Sequence, residues 1–217
     1  MADDLPEPPQ FDATFRHQLE DLIVWRRDVR HFRSRPVPAD LLTHLLDLMA
    51  ATPSVGFSQP ARFMLVQSAR ARGAIRGNFV ACNEQALAAY GGARAEQYAA
   101  LKLAGLDEAP VHLAVFCDEA TTTGHGLGRQ TMPESLRYSV VAGVQTLWLA
   151  LRAHGLGLGW VSILDPVRLA ADLRVPPSWT FIAYCCIGYP VQDQAQPELQ
   201  RLGWERRDPA AAHVIVR

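Results

Sequence analysis

An α+β fold, with helices packed on a sheet, is what this 217-residue sequence predicts. Three features point there. One segment carries an apolar stripe of helical period, several short β-rich runs are bounded by turn residues, and the two kinds of element mix without the strict alternation of a βαβ series. Leu41, Leu42, Leu45, Leu46 and Met49 form the stripe and, opened by Pro38 and Asp40, predict a helix with one buried face. The stretch from 53 to 60, with a proline at each end, cannot continue it, and Phe63-Met64-Leu65-Val66 then reads as a short buried strand. The alanine-rich region 70–106 reads as two helices joined by a loop, with Asn78, Gly91 and Gly92 as breaks. Val111-His112-Leu113-Ala114-Val115-Phe116-Cys117 is a strand, and a loop from 118 to 132 follows it.

Pro133 and Glu134 suit a first helical turn, and the run to about His154 is apolar around most of its circumference, which predicts a central helix at a core or a dimer interface. Gly155, Gly157 and Gly159 punctuate its exit into a strand at 160–164; a short helix to Leu173, a strand at 181–187 and the turn Gly188-Tyr189-Pro190 follow. The closing His213-Val214-Ile215-Val216 reads as an edge strand. The length suits one domain over 1–217, burying roughly 70% of its unfolded surface, with 1–14 a loose N-terminal tail.

A composition 49% hydrophobic and 20% charged is that of a globular chain, and a net charge of -1 predicts no basic face for nucleic acid. The acidic N-terminus is no signal peptide, and no apolar run approaches the ~20 residues that span a bilayer. Cysteines 82, 117, 185 and 186 show no metal-ligand spacing, and neighbours 185 and 186 in a strand point to opposite faces, so they read as reduced core thiols of a cytoplasmic protein. Seven scattered histidines lack H-x-x-x-H spacing, so no metal site is expected.

Residues 26–32, Arg26-Arg27-Asp28-Val29-Arg30-His31-Phe32, set three guanidinium groups around one carboxylate. Such forks suit a phosphate. The acid among them is either neutralised by its neighbours or kept for chemistry, and the same seven residues also fit an ion-paired helix start. Gly124-His125-Gly126-Leu127-Gly128 falls too far after its strand for a dinucleotide loop and reads as a flexible segment whose His125, Arg129 and Gln130 close over a ligand. Ser162 lacks the second glycine of a nucleophile elbow; at a strand end it either donates into a cleft or is a satisfied core serine.

The R-R-x-x-R-x-F cluster, the P-S-x-x-x-S-Q-P-x-x-F segment at 53–63, the G-x-G-x-G-W run ending at Trp160 and the late G-Y-P together resemble the nitroreductase-like flavin family, over residues 15 to 208. Asp28 in place of the serine common there, the loop 124–134 and Gly159-Trp160-Val161-Ser162-Ile163-Leu164-Asp165-Pro166 are similar to a branch that consumes reduced FMN. The resemblance implies an αβα sandwich with a mixed sheet, helices on both faces and an interlocked homodimer with FMN sites between subunits. It implies dioxygen-dependent fragmentation of reduced FMN to 5,6-dimethylbenzimidazole, the lower ligand of cobalamin, and erythrose 4-phosphate. NAD(P)H would enter only indirectly, through a separate flavin reductase, and no metal is used. Carried over residue by residue, Asp28 matches the essential acid, and Ser162 with the backbone N–H of Gly56 matches the donors to dioxygen. Arg26, Arg30 and Arg206 would hold the phosphate; Arg27, Ser54, Gln59 and Asn83 would bracket the ring and ribityl chain, with Val29 and Ile163 also in the FMN-binding set. Ala86 stands where many nitroreductases carry a lysine. Two other readings stay open: an NAD(P)H-dependent nitroreductase or flavin reductase that retains FMN, and a non-catalytic flavin carrier.

Overall fold

Two central strands buried on both faces organise the chain. The computed structural model describes residues 7–101, 104–208 and 214–217. In chain order the elements are α1 (Ala13–Trp25), α2 (Ala39–Ala50), a short turn of helix at Val55–Phe57, β1 (Ala61–Leu65), α3 (Ala69–Ala88), α4 (Gly92–Ala100), α5 (Gly105–Glu108) and β2 (Val111–Asp118). A second helical turn at Thr123–Gly126, α6 (Ser135–Ala153), β3 (Gly157–Val161), α7 (Pro166–Asp172), β4 (Trp179–Gly188) and α8 (Glu198–Arg201) complete it. The sheet runs β1-β2-β4-β3.

Leu113, Val115 and Cys117 of β2, with Ala183, Cys185 and Ile187 of β4, face α6 and α2, where Leu45, Met49, Val140, Val144, Leu147 and Leu151 close the core. Ala114 and Phe116, with Tyr184 and Cys186, face the other way onto Ile75 of α3, Leu106 of α5 and Leu169 of α7. Helices thus cover both faces, and strands buried on both sides read as continuous apolar runs because neither face can be polar. Cys185 and Cys186 fall on opposite faces as expected, and all four cysteines are free.

Several expectations are corrected. All strand pairs are antiparallel, so the mixed character expected of the sheet is confined to one isolated parallel bridge, Asp28 to Leu158. Asn78 does not break a helix. It lies buried inside α3, where its side chain exchanges two hydrogen bonds with the backbone of Asp165, and this long-range pairing outweighs its weak helix propensity. β3 begins at Gly157, three residues before the expected start, so its glycines lie within the strand. Val214 to Val216 form no strand and stand exposed, while His213 and Met1 to Pro6 lie outside the described residues. Among the described residues no helix is long and apolar enough to cross a membrane, and no group of three or more His, Cys, Asp or Glu is placed to hold a metal ion.

Candidate functional site

The arginine cluster is an extended segment laid on the edge of β3, and not the start of a helix. Its local sequence does not dictate this; the strand beside it does. A Cβ on Gly157 would sit 2.5 Å from the Val29 side chain, and one on Gly159 would sit 2.2 Å from the Val29 carbonyl oxygen, so only glycine admits the segment. With that room, the Val29 N–H donates to the Leu158 oxygen at 3.0 Å and the Trp160 N–H donates to Asp28 Oδ1 at 2.9 Å. From α6, Trp148 Nε1 donates to the Arg27 carbonyl at 3.0 Å. Phe32 bridges Pro190 and its N–H donates to Glu108, which anchors the far end of the segment.

The three arginines divide their work. Arg26 stacks on the Trp148 ring, 4.5 Å from its centroid. Arg27 donates to the carbonyls of Val24, Arg26, Gln194 and Ala195, tying the chain after β4 onto the site, and it also lines the adjoining cleft. Burial first, then the nearby charges of Arg26, Arg207 and Arg152, lowers its pKa. Arg30 is the open one. Its side chain is only 10% exposed, its nearest anion is Asp28 Oδ2 at 3.6 Å from Nε, and Nε and Nη1 are buried with no hydrogen-bond partner. Buried guanidinium donors are rarely left bare, so this pair is the feature most in want of an anionic oxygen.

Arginine neighbours taken alone would hold the Asp28 carboxyl low, yet its pKa is raised. Burial dominates over the opposing Trp160 N–H and the charges of Arg30 and Arg26. The side chain keeps 39% exposure at the cleft mouth, while protein crowds it enough to set the direction. The adjoining cleft is a partly open groove of about 140 Å³. Five arginines (26, 27, 30, 152 and 201) and three carboxylates (Asp28, Asp193 and Glu198) line it, a balance that favours an anion.

The remaining candidates scatter in an ordered way. Ser162 and Ile163 follow directly on β3, so Ser162 lies two residues, roughly 7 Å of extended chain, beyond the Trp160 that binds Asp28; it is exposed and outside the lining of that cleft. Asn78 fixes this turn through Asp165. Asn83 lies on α3 and accepts from Tyr98 Oη at 3.0 Å. Ser54, Gly56 and Gln59 are elsewhere. Their turn docks on the first half of α6, where the Val55 N–H donates to Ser139 Oγ at 3.0 Å, nine residues and roughly 14 Å of helix from Trp148. One chain therefore carries the acid with the arginines at one end of α6 and the Gly56 turn at the other.

Arg206 does not line the clefts around the cluster; its neighbour Arg207 does, beside Arg26, Arg27, Asp28 and Arg30. Sequence reasoning missed Arg207, Arg152 and Arg201. Adjacent arginines in an irregular tail carry no periodicity to say which one turns inward, and Arg152 looks like an ordinary cation in the last turn of a helix.

A two-faced antiparallel sheet with helices on both sides, and an arginine-bearing segment added at its edge, defines the class. The chain belongs to the nitroreductase family, whose model matches residues 23–189. Its fold is similar to that of oxidized iodotyrosine deiodinase bound to FMN and 3-iodo-L-tyrosine, with a TM-score of 0.71 and 24% identity over 92% of this chain and 97% of that one. It is also similar to a nitroreductase-like protein from Streptococcus mutans, with a TM-score of 0.70 and 16% identity over 93% and 99%. Much nearer in sequence are proteins named 5,6-dimethylbenzimidazole synthase. The one from Rhodospirillum rubrum is 54% identical over 96% of this chain and 98% of its own length, and one from Rhodobacter capsulatus is 45% identical over 92% and 96%.

Proposed function

We propose that this chain is a 5,6-dimethylbenzimidazole synthase, an oxidoreductase that fragments reduced FMN with dioxygen to the benzimidazole and erythrose 4-phosphate. The observation that carries this reading is Asp28, an acid of raised pKa held by the Trp160 N–H in an arginine-lined cleft, in a chain 54% identical to a protein of that name. Reduced FMN supplies the electrons that dioxygen takes and the carbon atoms of the product.

The residues divide the remaining tasks. Arg30, through its bare Nε and Nη1, and Arg207 are suited to hold the phosphate oxygens. Asp28 is suited to take a proton, because a carboxyl whose pKa is raised by burial is a stronger base when ionised than a free one. Ser162 Oγ and the Gly56 N–H are the donors assigned to dioxygen. A site with both needs two copies, since a single chain separates Gly56 from Asp28. Support for a homodimer lies in the uncovered stripe Phe15, Leu19 and Ile23 along α1, with Phe11 just before it, and in Tyr138 and Val141 on α6, all exposed apolar side chains. The free thiols fit a reducing cytoplasm, where a separate reductase would deliver the flavin.

The test supplies purified protein with photoreduced FMN and air and measures dimethylbenzimidazole by fluorescence and mass. Product is expected from the native chain. Asp28→Asn, which keeps the shape and an acceptor for the Trp160 N–H, is expected to bind FMN and make none. Reoxidation to FMN with peroxide release alone, from the native chain, would replace this reading with that of an ordinary flavin reductase; unchanged flavin absorbance with no turnover would point to a carrier.

A further inference from the structure

We infer that the turn at 124–128 is a positioning device for the Gly56 amide, an inference that rests on the proposed dioxygen chemistry. In the turn 54–59 the N–H groups of Val55, Phe57, Ser58 and Gln59 all donate, to Ser139 Oγ, the Ser54 oxygen, the Val55 oxygen and Ser54 Oγ respectively. The Gly56 N–H has no acceptor among the described residues. The backbone around it is strained: Phe57 and Gln59 hold φ of 55° and 46°, values that non-glycine residues avoid. Such strain persists only where the surroundings impose it.

What imposes it is the second turn. Gly56, at φ 55°, has no room for a Cβ, which would lie 2.4 Å from the Leu127 carbonyl oxygen. Gly124, at φ 76°, would place a Cβ 2.1 Å from the Gly56 carbonyl oxygen, and Gly128, at φ 79°, would place one 2.7 Å from Val55 Cγ2. Thr121 closes the contact by donating from its hydroxyl to the Ser58 oxygen at 3.3 Å. Three glycines thus let two turns interlock backbone against backbone, and the interlock fixes the direction of the Gly56 amide at its centre. Among the described residues no hydrogen bond or ion pair joins the loop to an acid or arginine of the cleft, so it acts through Gly56 and is not itself catalytic. A displaced donor has a defined chemical consequence: dioxygen takes two electrons and two protons from reduced FMN and leaves as hydrogen peroxide, with FMN intact and no carbon bond broken.

The structure supplies a matched control. Gly126 has nearly the same backbone, φ 78°, but its Cβ would meet only the tip of Arg129 at 3.7 Å. Gly124→Ala and Gly126→Ala therefore add the same backbone strain, and only the first pushes on Gly56. The experiment measures benzimidazole formed per dioxygen consumed, the peroxide released, and anaerobic binding of reduced FMN. Gly124→Ala is expected to cut the coupled fraction on the order of tenfold or more, with peroxide making up the difference and flavin affinity held, while Gly126→Ala stays near the native ratio. If Gly124→Ala does not fold, Gly128→Ala decides: coupling falls, and Val55→Ala in the same chain restores it by removing the methyl that the new Cβ would strike. Equal loss in Gly124→Ala and Gly126→Ala, native coupling in Gly124→Ala, or no rescue by Val55→Ala overturns the inference. Absence of product from the native chain would instead overturn the proposed function.

Discussion

Gly159→Ala tests whether the strand edge builds the site. The added Cβ would lie 2.2 Å from the Val29 oxygen, and because that neighbour is backbone, the segment carrying residues 28–30 must retreat by about 1 Å to reach ordinary contact. A retreat of that size carries the Trp160 N–H to Asp28 bond, now 2.9 Å, and the Val29 N–H to Leu158 bond, now 3.0 Å, beyond hydrogen-bonding range. The first engages a carboxylate and is worth about 1.5–3 kcal/mol, the second about 0.5–1.5. Water recovers part of the first, because Asp28 keeps 39% exposure. A net loss of about 2–3 kcal/mol follows, read as a drop in urea midpoint of roughly 1 M. Product formation falls on the order of a hundredfold, since an acid misplaced by about 1 Å no longer meets its proton. Gly155→Ala is the control: its φ of 71° strains an alanine, yet nothing lies within 4 Å, so it costs about 1–2 kcal/mol of backbone strain and keeps the product. Native stability and full turnover in Gly159→Ala would refute the argument that this glycine exists to admit the Asp28 segment.

Two further outcomes follow from buried polar groups. His112, buried and bonded through Nδ1 to Tyr184 Oη at 2.9 Å, has its pKa lowered to about 4 by burial first and then by Arg72, so the fold holds it neutral. Its contribution is fully present above the unfolded value near 6.5 and is lost as pH falls toward 4, about 3 kcal/mol in all; the stability gap between native protein and His112→Gln, from urea melts, is expected to narrow over that window, and a constant gap would show that the histidine does not titrate. Asn78→Ala strips partners from both the N–H and the carbonyl of Asp165, at 2.8 and 2.9 Å, and is expected to cost about 1–3 kcal/mol and to lower turnover through a loosened Ser162 turn, with flavin binding unchanged. Unaltered turnover in a folded Asn78→Ala chain would detach that turn from the chemistry.

How much of this was legible in the sequence depended on whether a residue's neighbours determine its structure locally. The α2 stripe, the β2 run and α6 were readable because burial writes itself into period, and α6 closed within two residues of its expected ends. The segment 26–32 was not. Its extended form is set by glycines that follow it by more than a hundred residues and by Trp148, so local reading also allowed an ion-paired helix start; the cluster marked Asp28 as an acid kept for chemistry, and the family likeness gave it a role. Gly157 and Gly159 looked like punctuation for the same reason: their purpose lies in what approaches them. Asn78 carries the cost of any one-dimensional reading, since a residue that breaks helices in isolation is secured here by Asp165, 87 positions away. The sign of the Asp28 shift was also out of reach, because charge neighbours are visible in sequence and burial is not.

The separation of Asp28 from Gly56 along α6 is the feature that joins fold to function. Arg26 and Arg27 rest on Trp148 near the helix end, while the Gly56 turn is bonded to Ser139 near its start. In a twofold pair each surface meets its own copy in reverse, so two α6 helices packed antiparallel bring the Ser139 end of one against the Trp148 end of the other. The exposed Tyr138 and Val141 lie on that helix and would be covered by the same contact. In the proposed homodimer two equivalent sites would follow, each with the acid from one chain and the Gly56 amide from its partner. On the proposed function such a division would also protect the chemistry: the donor to dioxygen would meet the base only in the assembled pair, where apolar faces exclude water, and a lone chain is expected to bind flavin without spending it.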